Sequence, residues 1–200
     1  MNERRSFLPI AALAGALLAV AGCDSPAAEP VPLAGARMGG SFALTDHRGH
    51  PFNSDSLRGK YRIVYFGYTY CPDVCPVDLQ VISAALSQYE QRQASRATRI
   101  QPLFITTDPQ RDTPRVMWAY VRNFHPRLIG LTGSPEEIAR VERAYGVYAS
   151  RREPAQSGGD YLVDHNRVAT LYGPQGEPIT MLHTDEGPAA VLAALEHWVR

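Results

Sequence analysis

The chain has 200 residues, with 20 Lys and Arg balanced by 20 Asp and Glu, so no basic excess points to nucleic acid and no charge run to an interaction tail. Hydrophobic residues make up 44% and charged residues 20%. This is a globular composition that excludes a disordered chain and suits one ordinary domain once terminal segments are set aside.

The first residues read as an export signal. Arg4 and Arg5 form a basic start, and Ile10 to Ala21 form an apolar run too short and too Ala-rich for a membrane span. The run ends in Val20-Ala21-Gly22-Cys23, which resembles a bacterial lipobox. On that reading residues 1–22 are a lipoprotein signal peptide and Cys23 is the lipidated first residue of the mature chain. Cysteine arithmetic agrees, because removing Cys23 leaves an even pair, Cys71 and Cys75. Asp24 resembles the signal that retains lipoproteins in the inner membrane. Glu3-Arg4-Arg5-Ser6-Phe7-Leu8 resembles a twin-arginine export motif, with a plain secretory signal as the alternative. Residues 23–38 carry Pro26, Pro30 and Pro32 among alanines and read as a tether. It would reach about 50 Å if extended, letting a domain over residues 39–200 leave the membrane surface.

The domain opens with an alternating stretch, Gly40 to Asp46, a turn at His47-Arg48-Gly49-His50, and a return at Pro51-Phe52, which predicts a β-hairpin. His47 and His50 sit in or near that turn, and solvation is the simpler reading of them than a surface metal pair. A buried strand, Ile63 to Phe66, then leads through Gly67-Tyr68-Thr69-Tyr70-Cys71-Pro72-Asp73-Val74-Cys75-Pro76 into an amphipathic helix marked by Leu79, Ile82, Leu86 and Tyr89. Both thiols therefore fall at a strand-to-helix junction, where the positive end of the helix dipole favours thiolate. Three residues separate them, which suits two soft ligands on one metal ion or a redox pair. A structural disulfide closing so small a loop would constrain the unfolded chain little.

Ile100 to Thr106 predicts a second buried strand. Thr113 is placed to cap a helix with Pro114 at its first position, running to about Phe124. Leu128 to Leu131 reads as a short strand, and Ser134-Pro135 starts a helix that ends near Gly146. Residues 151–160 are polar and Gly-rich and read as a loop. After Tyr161-Leu162-Val163-Asp164-His165-Asn166 come strands at about Ala169–Tyr172 and Pro178–Leu182, then a final helix from Pro188 with Val191, Leu192, Leu195, Trp198 and Val199 on its buried face. The order of elements implies an α/β sandwich, a central mixed sheet with helices on both faces.

Four segments together resemble the Sco/SenC copper chaperones of cytochrome c oxidase assembly. They are Tyr68-Thr69-Tyr70-Cys71-Pro72-Asp73-Val74-Cys75-Pro76, Thr107-Asp108-Pro109-Gln110-Arg111-Asp112-Thr113-Pro114, Gly130-Leu131-Thr132-Gly133-Ser134-Pro135-Glu136 and Tyr161-Leu162-Val163-Asp164-His165. The resemblance runs from about Phe42 to the end. It implies a thioredoxin-like fold and copper held by Cys71, Cys75 and His165. It also implies delivery of copper to the copper-bearing subunit of cytochrome c oxidase, in company with other copper-delivery proteins; the lipobox reading places the chain on the outer face of the bacterial cytoplasmic membrane. Tyr70 departs from the pattern, since many relatives have histidine there, but that residue is not an expected ligand.

The chemistry is consistent with the resemblance, because two thiolates and an imidazole make a soft site for Cu(I) that also accepts Cu(II). With a polar loop before it, His165 is expected, when no metal is bound, to lie several ångströms beyond the ~2.0–2.1 Å of a typical metal–nitrogen bond and to swing in with the metal. Asp73 and Asp164 are candidates for acceptors that orient a ligand, and Asp73 equally for a helix cap. Asp108 and Asp112 read as turn and cap residues, His125 as a cap, and His183 and His197 as surface residues. Two enzymatic alternatives stand beside the metallochaperone. A thiol-disulfide oxidoreductase would reduce the cysteines of a copper-accepting partner. Thioredoxins, however, carry a proline facing the dithiol, and no proline occurs between Pro154 and Pro174, where His165 stands instead. A thiol peroxidase would need an activating threonine, for which Thr69 is available, and an arginine that nothing in the sequence fixes there.

Overall fold

The computed structural model describes residues 29–153 and 161–200. The export signal, Cys23 and the polar segment 154–160 lie outside the described residues. The elements in chain order are strands β1 (Ala43–Asp46), β2 (Pro51–Asn53) and β3 (Tyr61–Gly67), helix α1 (Val74–Arg92) and the short α2 (Ala94–Ala97). They continue with β4 (Ile100–Thr106), α3 (Pro114–Val121), β5 (Ile129–Thr132), α4 (Pro135–Tyr145), β6 (Ala149–Arg152), β7 (Leu162–His165), β8 (Ala169–Tyr172), β9 (Pro178–Leu182) and α5 (Pro188–Trp198). Seven strands form one sheet in the order β2-β1-β5-β4-β3-β8-β9. The three at its centre are parallel and the flanking ones antiparallel, so the sheet is mixed.

The central strand β3 is buried along all seven residues, and the pleat divides them between two cores. Tyr61, Ile63 and Tyr65 face one side, where Leu79, Ile82 and Leu86 of α1, Met117 and Val121 of α3, and Val191, Leu192 and Leu195 of α5 pack. Val64 and Phe66 face the other, against Ile138, Val141 and Tyr145 of α4. Helices thus cover both faces in three layers, as the order of elements predicts.

The caps also follow the sequence. The Thr113 hydroxyl accepts the backbone N–H of Val116. Ser134 and Glu137 form a reciprocal capping box at the start of α4, which ends on Gly146 at φ 68°, a left-handed conformation that glycine adopts without steric cost.

Three details differ from the sequence reading. First, the end of the expected tether is docked on the domain. Val31 packs against the α1 core, Leu33 N–H donates to the Ile179 carbonyl at 3.0 Å, and Met38 packs on the α4 side. Proline and alanine content suggests a spacer but does not record this packing. Second, Arg151 and Arg152 belong to β6, which pairs antiparallel with β7. Exposed polar side chains carry no apolar period, so this pairing, to which an Arg152–Asp164 ion pair adds, leaves no local signal. Third, His47 is half-buried and its Nδ1 accepts the Gly130 N–H at 3.1 Å, tying the hairpin turn to β5. His50 is exposed, as expected.

Candidate metal centre

Strand β3 ends at Gly67 because the sulfur layer begins there. A Cβ at that position would lie 2.8 Å from Cys75 Sγ and 3.0 Å from the Phe104 ring. The chain then turns, with Cys71 N–H donating to the Tyr68 carbonyl at 3.2 Å, and enters α1 at Val74. Cys75 is the second helical residue, so its N–H has no partner within the helix. It donates to Cys71 Sγ at 3.4 Å. Cys71 is half-buried and Cys75 fully buried, and both are free thiols.

That geometry makes the two thiols unequal. Donation from the Cys75 thiol, with further help from the backbone N–H groups of Asp73 and Cys75, draws the Cys71 thiol down to about 4 despite burial. The Cys71 thiolate and burial together push the Cys75 thiol up. Cys71 is the accessible thiolate and Cys75 the protonated, enclosed partner.

His165 closes the constellation from the end of β7. Its Nε2 lies 3.5 Å from Cys75 Sγ, 90 residues away in sequence. Its Nδ1 lies 3.1 Å from the Asn166 carbonyl. A carbonyl can only accept, so Nδ1 carries the proton and the Nε2 lone pair faces the sulfur. The edge of the Tyr68 ring packs on the imidazole, with centroids 6.0 Å apart at 83°. The expectation that His165 stands well away from the sulfurs is therefore not what the structure presents. Typical metal–sulfur and metal–nitrogen lengths put ligand atoms on one ion roughly 3.5–3.8 Å apart at trigonal to tetrahedral angles, so the observed separation fits a shared ion. No set of three His, Cys, Asp or Glu side chains among the described residues is already drawn into a closed coordination shell. An ion would have to draw Cys71, Cys75 and His165 together.

Neither carboxylate expected to orient a ligand does so. Asp73 takes the N-cap position of α1 but makes no side-chain capping bond. Asp164 points outward and pairs with Arg152 at 3.3 Å, because alternation along β7 turns it away from the imidazole beside it. The buried acids are others. Asp112, fully buried, accepts from Thr69 and Thr106. Asp108 accepts from the Tyr161 hydroxyl at 2.8 Å and is ion-paired with Arg111. Asp78, fully buried, accepts from the Tyr65 hydroxyl at 2.8 Å and from Arg167. A polar residue three positions past Cys75 on the apolar face of α1 was the one available signal for Asp78.

Thr69 gives its hydroxyl to Asp112 rather than to a sulfur. Arg111 does lie by the dithiol loop, bonded to Asp108 and the Tyr161 carbonyl and packed on the rings of Tyr161 and Tyr70 at 3.6 and 4.8 Å, with its buried Nη2 left without a hydrogen-bond partner. The threonine a thiol peroxidase would use is thus bonded away from the sulfurs.

The remaining histidines stand apart. His125 is buried, with Nδ1 accepting from Arg127 N–H at 3.2 Å and Nε2 facing Glu90 at 3.4 Å. His183 and His197 are exposed. A cavity of about 200 Å³ lies behind β7, lined by Thr107, Glu142 and Val163. Burial there pushes the Glu142 carboxyl up to about 7.

A family model described as SCO1/SenC matches residues 31–200. The chain is 42% identical over 145 residues to the mitochondrial protein SCO2 of Saccharomyces cerevisiae, which covers 72% of this chain and 47% of that protein. It is 34% identical over 160 residues to the SCO2-like protein of Rickettsia felis, covering 80% and 76%. The crystal structure of copper-bound ScoI from Arabidopsis thaliana matches with a TM-score of 0.72 at 39% identity, over 79% of this chain and 95% of that one. The first curated relatives are longer, and the chain spans about half their length. The thioredoxin-like sandwich, the dithiol at the mouth of its helix and the family match over nearly all described residues agree: the chain belongs to the SCO1/SenC family.

Proposed function

We propose that this protein is a metallochaperone. Cys71, Cys75 and His165 hold copper as Cu(I) or Cu(II) and pass it to the copper-bearing subunit of cytochrome c oxidase during assembly. The observation that carries this reading is the approach of His165 Nε2 to Cys75 Sγ at 3.5 Å. The copper-bound ScoI relative supports the choice of metal. Copper is cargo here. The thiolate of Cys71 is accessible and can pass an ion to an incoming ligand, while Cys75 and His165 hold it from the enclosed side. The chain works on the outer face of the bacterial cytoplasmic membrane, anchored by lipid on Cys23. Among the described residues no helix is long and apolar enough to cross a membrane.

The test is metal analysis and titration of the purified protein with each copper oxidation state, wild type beside His165→Ala, Cys71→Ser and Cys75→Ser. Two thiolates suffice for two-coordinate Cu(I), whereas Cu(II) prefers nitrogen among its ligands. His165→Ala should therefore weaken Cu(II) binding far more than Cu(I), and each serine variant should damage both. Equal loss of both states in His165→Ala would sink the assignment.

One observation favours a second reading, in which the dithiol reduces the cysteines of a copper-accepting partner. A half-buried thiolate beside a buried, protonated thiol is the division of labour that thiol–disulfide exchange needs. Cys71 would attack the partner disulfide and release one partner thiolate. Cys75 would then give up its proton and displace the second partner sulfur, leaving Cys71–Cys75 oxidised. Partner cysteines reduced by copper-free wild type but not by Cys75→Ser would establish it.

A further inference from the structure

Strand β7 belongs to a two-stranded ribbon outside the main sheet, so no central ladder fixes where His165 stands. Its surroundings do. Tyr161, before the strand, is held by Asp108 and Arg111 in the loop after β4. Asn166 is bonded to Tyr148 and Gly146 at the end of α4. Arg167 alone among these reaches the helix that carries Cys75. Its Nε donates to Asp78 Oδ2 at 2.7 Å, and its Nη2 pairs with Oδ1.

The spacing gives this ion pair its meaning. Arg167 is two residues past His165, and Asp78 is three past Cys75, one helical turn deeper on the same side of α1. The pair therefore repeats the His165–Cys75 approach one helical turn further along α1, with the arginine at the surface and Asp78 enclosed. Asp78 is fully enclosed and both its oxygens are used, with the Tyr65 hydroxyl taking the remaining lone pair on Oδ2. A two-pronged guanidinium–carboxylate pair fixes direction as well as distance.

We propose that Asp78 and Arg167 are positioning residues that set the distance of His165 from the dithiol, and through it the preference of the site between copper oxidation states. The proposal rests on the copper reading above. Removing the link lets the imidazole drift from the sulfurs while the thiols stay anchored on α1. The site then behaves as a dithiol alone.

The test uses the full chain carrying Arg167→Met, Arg167→Lys, or the double change Asp78→Leu with Arg167→Met. The double variant leaves no buried unpaired carboxylate and keeps the comparison valid if Arg167→Met does not fold. Before copper is added, nuclear Overhauser contacts between the His165 ring and the Cys75 methylene report the position directly. They should be present in wild type, weakened in Arg167→Lys and lost in the double variant. With copper, the double variant should lose Cu(II) affinity by roughly tenfold or more, the scale of supporting contacts at metal sites, and Cu(I) affinity by less than about threefold. Adding His165→Ala to it should change little more. Persistence of the ring contact in the double variant overturns the proposal, as does an equal fall in both copper affinities accompanied by a lower Tm. If wild type shows the ring contact but binds no copper, the copper reading fails, and the positioning claim is judged by the ring contact alone.

Discussion

Asp112 accepts the backbone N–H of Thr69 at 3.0 Å and its hydroxyl at 2.5 Å, across 43 residues of sequence. The same carboxylate takes the Thr106 hydroxyl at 2.6 Å. One buried acid thereby ties the loop before Cys71 to the end of β4. Asp112→Ala leaves these donors unsatisfied and should cost about 2–4 kcal/mol of stability. Asp112→Asn, which retains one acceptor oxygen, should cost less. Denaturant unfolding of the two variants checks the order, and equal stability to wild type would show that the loop does not depend on this carboxylate.

Cys71 should react as a thiolate at pH values where an ordinary cysteine, with a pKa of about 8.5, is protonated. Its folded value near 4 predicts that iodoacetamide labelling of Cys71 persists as pH falls from 8 toward 5 and fades only through about 4. The same shift has a sign for stability. Between the folded and unfolded values the unfolded chain holds the extra proton, so the Cys71 contribution is present above the unfolded value and is lost as pH falls through the folded one. Cys75 acts oppositely: its raised value holds a proton that the unfolded chain releases, so its contribution fades under strongly alkaline conditions. A labelling midpoint above pH 8 in the native protein would contradict the unequal pair.

Gly67→Ala should disturb the site through sterics alone. The new methyl would meet Cys75 Sγ at 2.8 Å and the Phe104 ring at 3.0 Å, and neither buried group has room to yield. A loss of about 1–3 kcal/mol is expected, together with weakened binding of both copper oxidation states because the sulfur is displaced. Wild-type melting and copper titration in this variant would refute the close approach.

The anchor is tested at Cys23. Cys23→Ser should give an unprocessed or soluble form, followed by membrane fractionation of cells and the size of the mature chain. A cleaved variant that still partitions with membranes would mean that the attachment lies elsewhere.

How much was legible in the sequence varies with the range of the interaction involved. The strand, turn and helix around Cys71 and Cys75 follow from apolar periodicity, and the starts of α3 and α4 from Thr113-Pro114 and Ser134-Pro135, because these signals act within a few residues. The Cys75–His165 approach spans 90 residues, and no local pattern encodes it; only the resemblance to a family pointed to His165. Asp78 and Arg167 are 89 residues apart, and nothing local distinguishes a surface arginine paired across the fold from a solvated one. Asp112 reads locally as a turn residue, and its tie to Thr69 exists only after folding. Arg151 and Arg152 carry no strand signal, because the exposed strands of a two-stranded ribbon show no apolar period. The docking of Val31 and Leu33 was hidden behind prolines that suggest a spacer.

Pairing of β6 and β7 with each other alone has a consequence for how the site comes apart. Both sulfurs sit where the fully buried β3 meets a nineteen-residue helix, in the part of the molecule whose amides should exchange with solvent only on global unfolding. A two-strand ribbon has little stability of its own, so its amides should exchange through low-energy opening. Each such opening carries the imidazole away and leaves the dithiol intact. Coordination would fall from three to two in a defined order, nitrogen first, without the rest of the domain unfolding.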